Sequence, residues 1–234
     1  MYRKLKFNDP NTKVFIGSDF HFYHDKDFLY KPRGFTNIHD HNEWIIQDVN
    51  KRIGVLDTLI FLGDFLLNAP YSGVFEALLA RINCQNIYFI WGNHNAGAWE
   101  YYEKFLTAQF KSLDPDLCYC SLRERSEIYP LKIGKVTFLG RNAEVEIQRQ
   151  SVTLSHFPYA IWNKSHHGTW NLCGHSHGTN PTALPDYKKG KILDCGVDVA
   201  KKYLDSAVFS WDNIKEIMNK KEILLLDHHT ERTT

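Results

Sequence analysis

The ten residues "NIYFIWGNHN" (86–95) decide the fold. Ile87 to Trp91 is an apolar run that reads as a buried strand. It stops abruptly at Gly92-Asn93-His94-Asn95, four residues that are not natural core fillers. A strand that carries an amide and an imidazole to its tip suits a sheet whose carboxyl edge binds a ligand.

Working outward, the neighbouring segments alternate between strand and helix. "VFIGS" (14–18) and "DTLIFLGDF" (57–65) read as strands, and "HNEWIIQDVNKRI" (41–53), "VFEALLARI" (74–82) and "AWEYYEKFLTAQF" (98–110) as helices with one apolar face. That alternation predicts a sheet fed by crossover helices. The second half differs, with short strand candidates "KVTFLG", "SVTLSHF", "TWNLCG", "KILDCGVDV" and "SAVFSW" between loops. A helix is expected over 212–221 with Asp212 as its N-cap. "DHHTERTT" (227–234) reads as a polar tail. One domain is expected across residues 1–234, with its core at about 14–218.

The tip at 92–95 has counterparts. Ser18-Asp19-Phe20-His21 follows the first strand and Gly63-Asp64 the second; His156 ends "TLSHFP", and His175 and His177 end "NLCGHSHG". A solitary histidine at a strand end is ordinarily structural, and an Asp after Gly is ordinarily turn chemistry. Five strands finishing in Asp, Asn or His call for another reading. Residues i and i+2 of an extended chain share a side, so Asp19 with His21, and His175 with His177, can each present two groups to one place. Gly63, Gly92 and Gly174 allow close backbone approach. Carboxylate, amide oxygen and imidazole without thiolate suit manganese, iron or zinc, and seven such groups fit two ions sharing one carboxylate better than one ion.

Composition narrows the class. The 234 residues carry 28 basic and 27 acidic side chains, for a net charge of +1. Chains that hold a nucleic-acid backbone through counterion release usually show a basic excess, so a polymeric nucleic-acid partner is not indicated. The five cysteines have neither disulfide-framework nor zinc spacing; Cys118 and Cys120 are too close for a CxxC pair. Met1 to Asp9 lacks a signal-peptide core, and no apolar stretch approaches a membrane span. A cytoplasmic location, in a bacterial cell or phage-infected host, is the expectation.

Asp-x-His, Gly-Asp, Gly-Asn-His, a lone His and Gly-His-x-His, in that order, resemble the calcineurin-like metallophosphoesterase superfamily. "SDFHFYHDKDFLYKPRGFTNIHDHNEWIIQDVNKRI", "LSHFPYAIWNKSHHGTWNLCGHSHG" and "LDCGVDV" resemble its small bacterial and bacteriophage branch. The resemblance implies a mixed α/β fold: a four-layer αββα sandwich of two mixed β-sheets flanked by helices. It implies two divalent metal ions, manganese first, with iron, zinc, nickel or cobalt as alternatives. Asp19, His21, Asp64 and His177 would hold one ion, and Asp64, Asn93, His156 and His175 the other, with Asp64 bridging. His94 would stand near the substrate phosphate as a catalytic, non-ligating histidine, and Arg33 of "KPRGF" is a candidate phosphate ligand, a surface ion pair being the alternative. The implied reaction is phosphodiester hydrolysis of a small substrate, a nucleotide or cyclic nucleotide among the candidates, by a metal-bridging hydroxide.

Asn95 departs from the pattern, because the family keeps Asp or Glu there to orient the histidine. An Asn can accept from the imidazole but does not stabilise imidazolium as a carboxylate would, which predicts reduced activity or reliance on a good leaving group. Protein phosphatases carry an extended Gly-Asp-x-Val-Asp-Arg-Gly block that Gly63-Asp64-Phe65-Leu66-Leu67-Asn68 lacks. A phosphomonoesterase, a small nuclease, or a metal-binding scaffold with little activity remain the alternatives. His24 is expected beside the ligands and Trp162, Asn163 and His167 as a pocket wall or packing; Asp194 and Asp198 are expected to hold loops.

Overall fold

The computed structural model describes residues 4–111, 131–179 and 190–224. Its elements in chain order are β1 (Leu5–Phe7), β2 (Val14–Gly17), α1 (Asp27–Tyr30), α2 (Ile38–Arg52), β3 (Thr58–Phe61), α3 (Val74–Arg81), β4 (Asn86–Phe89) and α4 (Ala98–Lys111). There follow β5 (Leu131–Ile133), β6 (Val136–Phe138), β7 (Asn142–Ile147), β8 (Gln150–Ser155), β9 (Trp170–Cys173), β10 (Ile192–Asp194), α5 (Val197–Leu204), β11 (Phe209–Ser210) and α6 (Trp211–Asn219). They build two mixed sheets, a six-stranded one in the order β11-β2-β3-β4-β6-β5 and a five-stranded one in the order β1-β7-β8-β9-β10.

The apolar runs make the inner strands two-sided. Along β2, β3 and β4, Phe15, Leu59, Phe61, Ile87 and Phe89 face a core shared with Ile45 and Val49 of α2, Phe75 and Leu78 of α3, and Tyr102 of α4. Their alternates Val14, Ile16 and Ile60 face a second core, filled from the other sheet by Val145, Val152, Leu154 and Leu172 and closed by Ile214 and Met218 of α6. The two sheets therefore pack face to face, with α2, α3 and α4 outside the larger one. Residues 157–168, which include a 3-10 turn, meet the outer face of the smaller sheet, where Tyr159 N–H donates to Asn171 Oδ1 and Asn163 Nδ2 to Glu144 Oε2. The expected mixed α/β fold with two mixed sheets is present, with six helices among the described residues.

Details differ from the sequence reading where side chains, not periodicity, set the ends. Asn37 caps α2 by accepting from Asp40 N–H, so that helix starts earlier than position 41. Ser210, rather than Asp212, caps α6 in a reciprocal box with Asn213; Asp212 lies in the first turn. The run "KILDCGVDV" is split between β10 and α5, because Asp194 Oδ1 accepts Gly196 N–H and turns the chain. The tail 227–234, Cys118 and Cys120 lie outside the described residues. No helix among the described residues is long and apolar enough to cross a membrane.

Candidate metal centre

Strands β2, β3 and β4 run parallel in one sheet, and β8 and β9 run parallel in the other. Their carboxyl ends meet at the seam between the sheets. There the structure brings Asp19, His21 and His177 into one group and Asp64, His156 and His175 into another, the potential ligand atoms of each group lying within 4.8 Å of one another. Asn93 Oδ1 joins the second group, 2.9 Å from His156 Nε2 and 3.1 Å from His175 Nδ1. Asp64 sits between the two: its Oδ2 is 3.7 Å from His21 Nε2 and 3.4 Å from His156 Nε2, while Oδ1 accepts His94 N–H at 2.8 Å.

The backbone is bent to achieve this. Asp19, His21, Asp64, His175 and His177 all have positive φ, between +47° and +69°, a conformation that non-glycine residues rarely adopt. Such strain concentrates at functional sites and persists where the surroundings over-determine it. Neighbouring glycines provide the room. A Cβ on Gly92 would overlap Asp64 Oδ1, and one on Gly174 would overlap Ser18 Oγ.

Hydrogen bonds fix which atoms face inward. His156 Nδ1 lies 2.8 Å from the Leu62 carbonyl, which can only accept, so Nδ1 carries a proton and Nε2 is the atom turned to Asn93 Oδ1 and Asp64 Oδ2. His177 Nδ1 likewise donates to Asp198 Oδ2 at 2.7 Å, leaving Nε2 as its free donor atom. A ring held by a carboxylate or carbonyl on one nitrogen is the usual state of a metal-ligating histidine. Both ring nitrogens of His21 are buried without a hydrogen-bond partner. Nε2 of His156, Nδ1 of His175, Oδ1 of Asn93 and Oδ2 of Asp64 thus converge on one place, as the ligands of a cation would. Atoms ~2.1 Å from a common ion lie roughly 3–3.5 Å apart, so the spacing within the second group fits.

Burial pushes the Asp19 carboxyl up to about 6 and holds His21 down to about 2. Burial also works against charge on His156, but the carboxylates of Asp64 and Asp19 outweigh it and raise its pKa. Burial thus opposes charge on Asp19 and His21, while Asp64, paired with His156, is lowered and His177, paired with Asp198, is raised.

Two expectations, those for Arg33 and Asn95, need revision. Arg33 is neither a surface ion pair nor open to a phosphate: it is 3% exposed, and its guanidinium contacts Asp198, His41 and the carbonyls of Asp19 and Phe20. Asn95 does not meet the His94 ring; its Oδ1 accepts Gly92 N–H and its Nδ2 donates to Gly92 O. Trp162 donates to Thr169 at the start of β9, the opposite end from His175, and packs there; Asn163 lies in the same outer segment. Asp194 and Asp198 do hold loops, through Ser176, Gly178 and Gly196 for the first and Arg33 and His177 for the second. His24 lies beside the centre, its ring 5.3 Å from that of His21. His94 is half-buried, its ring 5.7 Å from that of His21. The role of Asp198 was legible only in part, since nothing in "GVDV" announces a histidine partner at position 177.

The sequence profile of the calcineurin-like phosphoesterases matches residues 12–200. The chain belongs to that family. Calcineurin-like phosphoesterases are metal-dependent, and the two donor groups supply the candidate metal-binding residues. An uncharacterized protein of Methanocaldococcus jannaschii is 32% identical over 98 residues, which cover 42% of this chain and 53% of that protein. The chain thus spans about half the length of this curated relative. A protein of unknown function from Aquifex aeolicus, known by its crystal structure, superposes with a TM-score of 0.56 at 17% identity, covering 88% of this chain and 100% of that one. That likeness is one of fold.

Proposed function

We propose that this calcineurin-like phosphoesterase hydrolyses small phosphodiesters, nucleotides or cyclic nucleotides among them, using two divalent ions held on either side of Asp64. The observation that carries the reading is Asp64 Oδ2 facing a donor group on each flank. Asp19, His21 and His177 would hold one ion and Asn93, His156 and His175 the other. Oxygen and imidazole donors without thiolate favour manganese, with iron and zinc next. Bound there, the ions supply an acidified water and neutralise the charge of the phosphate.

The chain's own groups do the rest. Asp64 is kept in place by the His94 backbone N–H, which leaves Oδ2 free. The Leu62 carbonyl and Asp198 hold the His156 and His177 rings with Nε2 inward. His94, half-buried beside His21, would stabilise charge on the phosphate or protonate the leaving oxygen. A cytoplasmic location accords with the free, buried Cys84, Cys173 and Cys195.

Hydrolysis of bis-p-nitrophenyl phosphate by the manganese-loaded protein tests this, followed by 2′,3′- and 3′,5′-cyclic nucleotides, nucleoside monophosphates and short oligonucleotides. Asp64→Asn is expected to abolish turnover. His94→Ala is expected to cost about 10²–10⁴-fold on poor leaving groups and less on p-nitrophenolate. A protein that holds two metals yet is inert on every ester is a scaffold, and the proposal then fails.

A further inference from the structure

We propose that Arg33 is a positioning residue for one half of the metal centre, acting through Asp198 on His177 and through two carbonyls on the Asp19–His21 turn; this rests on the dinuclear reading above. A buried guanidinium is tolerated only when its donors are satisfied. Nε and Nη2 reach Asp198 Oδ1 and Oδ2 at 2.8 and 2.7 Å, a two-pronged ion pair. Nη2 also donates to Asp19 O at 3.0 Å, and Nη1 to Phe20 O at 3.3 Å and His41 Nε2 at 2.8 Å. Since arginine only donates, His41 must accept, with its own Nδ1 turned to Asn42 Oδ1 at 3.1 Å. All five N–H groups are thereby committed within the protein, and none remains for a substrate.

The contacts are one-sided. Asp198 Oδ2 receives both Arg33 and the Nδ1–H of His177, so the guanidinium sets the carboxylate and the carboxylate sets the ring. The Asp19 and Phe20 carbonyls belong to the stretch in which Asp19 and His21 are left-handed, so the same guanidinium ties down that strained turn. No hydrogen bond runs from Arg33 to Asn93, His156 or His175. Lysine keeps the charge but cannot make the two-pronged pair or reach five acceptors. Loss of Arg33 should therefore weaken the Asp19–His21–His177 group and spare the other.

The test compares wild type, Arg33→Lys and Asp198→Asn by manganese calorimetry, metal analysis after dialysis, and the thermal midpoint in chelator as a check on folding. Wild type should bind two ions. Each variant should keep one with unchanged affinity and bind the other 10–100-fold more weakly, the usual effect of losing a group that orients a ligand. At saturating metal, kcat on bis-p-nitrophenyl phosphate should fall while KM stays within about 2-fold. Two ions bound equally by all three proteins, both ions weakened alike, or a raised KM with unchanged metal affinity would each overturn the proposal alone. A wild-type protein that binds no metal takes the functional reading down with it.

Discussion

Asn95 shows how one side chain changes meaning once its neighbours are known. In sequence it occupies the place of a histidine-orienting acid. In the fold its amide closes the Gly92-Asn93-His94 turn back onto Gly92, accepting from Gly92 N–H at 3.1 Å and donating to Gly92 O at 2.7 Å. A carboxylate could do the first but not the second. Asn95→Asp is therefore expected to lose about 1–3 kcal/mol of stability, by setting an acceptor against a carbonyl, and to gain no turnover on poor leaving groups. Thermal melts and rates on an alkyl phosphodiester check both halves, and increased turnover would restore the sequence reading. The seven candidate ligands were legible because five apolar runs finish in Asp, Asn or His, and the family resemblance then divided them between two ions. Arg33 was not, because burial comes from its partners at 19, 20, 41 and 198, which no local pattern connects. Nor does any pattern announce that Asp and His will adopt positive φ.

The tip of β4 lies against the tip of β3 with no space for a methyl group at position 92. Gly92→Ala is expected to displace Asp64, lowering metal affinity at both donor groups and costing at least the 1–3 kcal/mol typical of overpacking. Metal titration read beside a denaturant melt measures this; an alanine variant that binds two ions normally would show that the tips can part cheaply. The helices α2, α3 and α4 were legible from period alone, since each lays one apolar face on the six-stranded sheet. Elements of the second half were harder. β1 and β7 are edge-proximal and largely half-exposed, so their apolar content is thin. The start of α5 is spelled Val-Asp-Val, which mimics a strand until Asp194 is seen to turn the chain.

Across the whole molecule, strand–helix alternation led to a sheet, but the pairing of two sheets rested on family resemblance, because face-to-face packing joins residues such as Ile60 and Leu154 that are distant in sequence. Burial opposes charge on Asp19 and His21 within the centre. Manganese at about 100 times its Kd should raise stability by ~2.7 kcal/mol per ion, and chelator should reverse the gain. Differential scanning calorimetry at fixed protein concentration gives the answer, and an unchanged midpoint would mean no ion binds.

The donors come from both layers, three tips from one and two from the other, so the centre also reads the registry of the sandwich. A slide of one sheet over its neighbour by a single residue, ~3.3 Å, would separate Asp64 from His156 while leaving each layer internally intact. Truncating Leu154 or Ile60, deep in the interface and outside the donor set, should then silence the protein before it unfolds it.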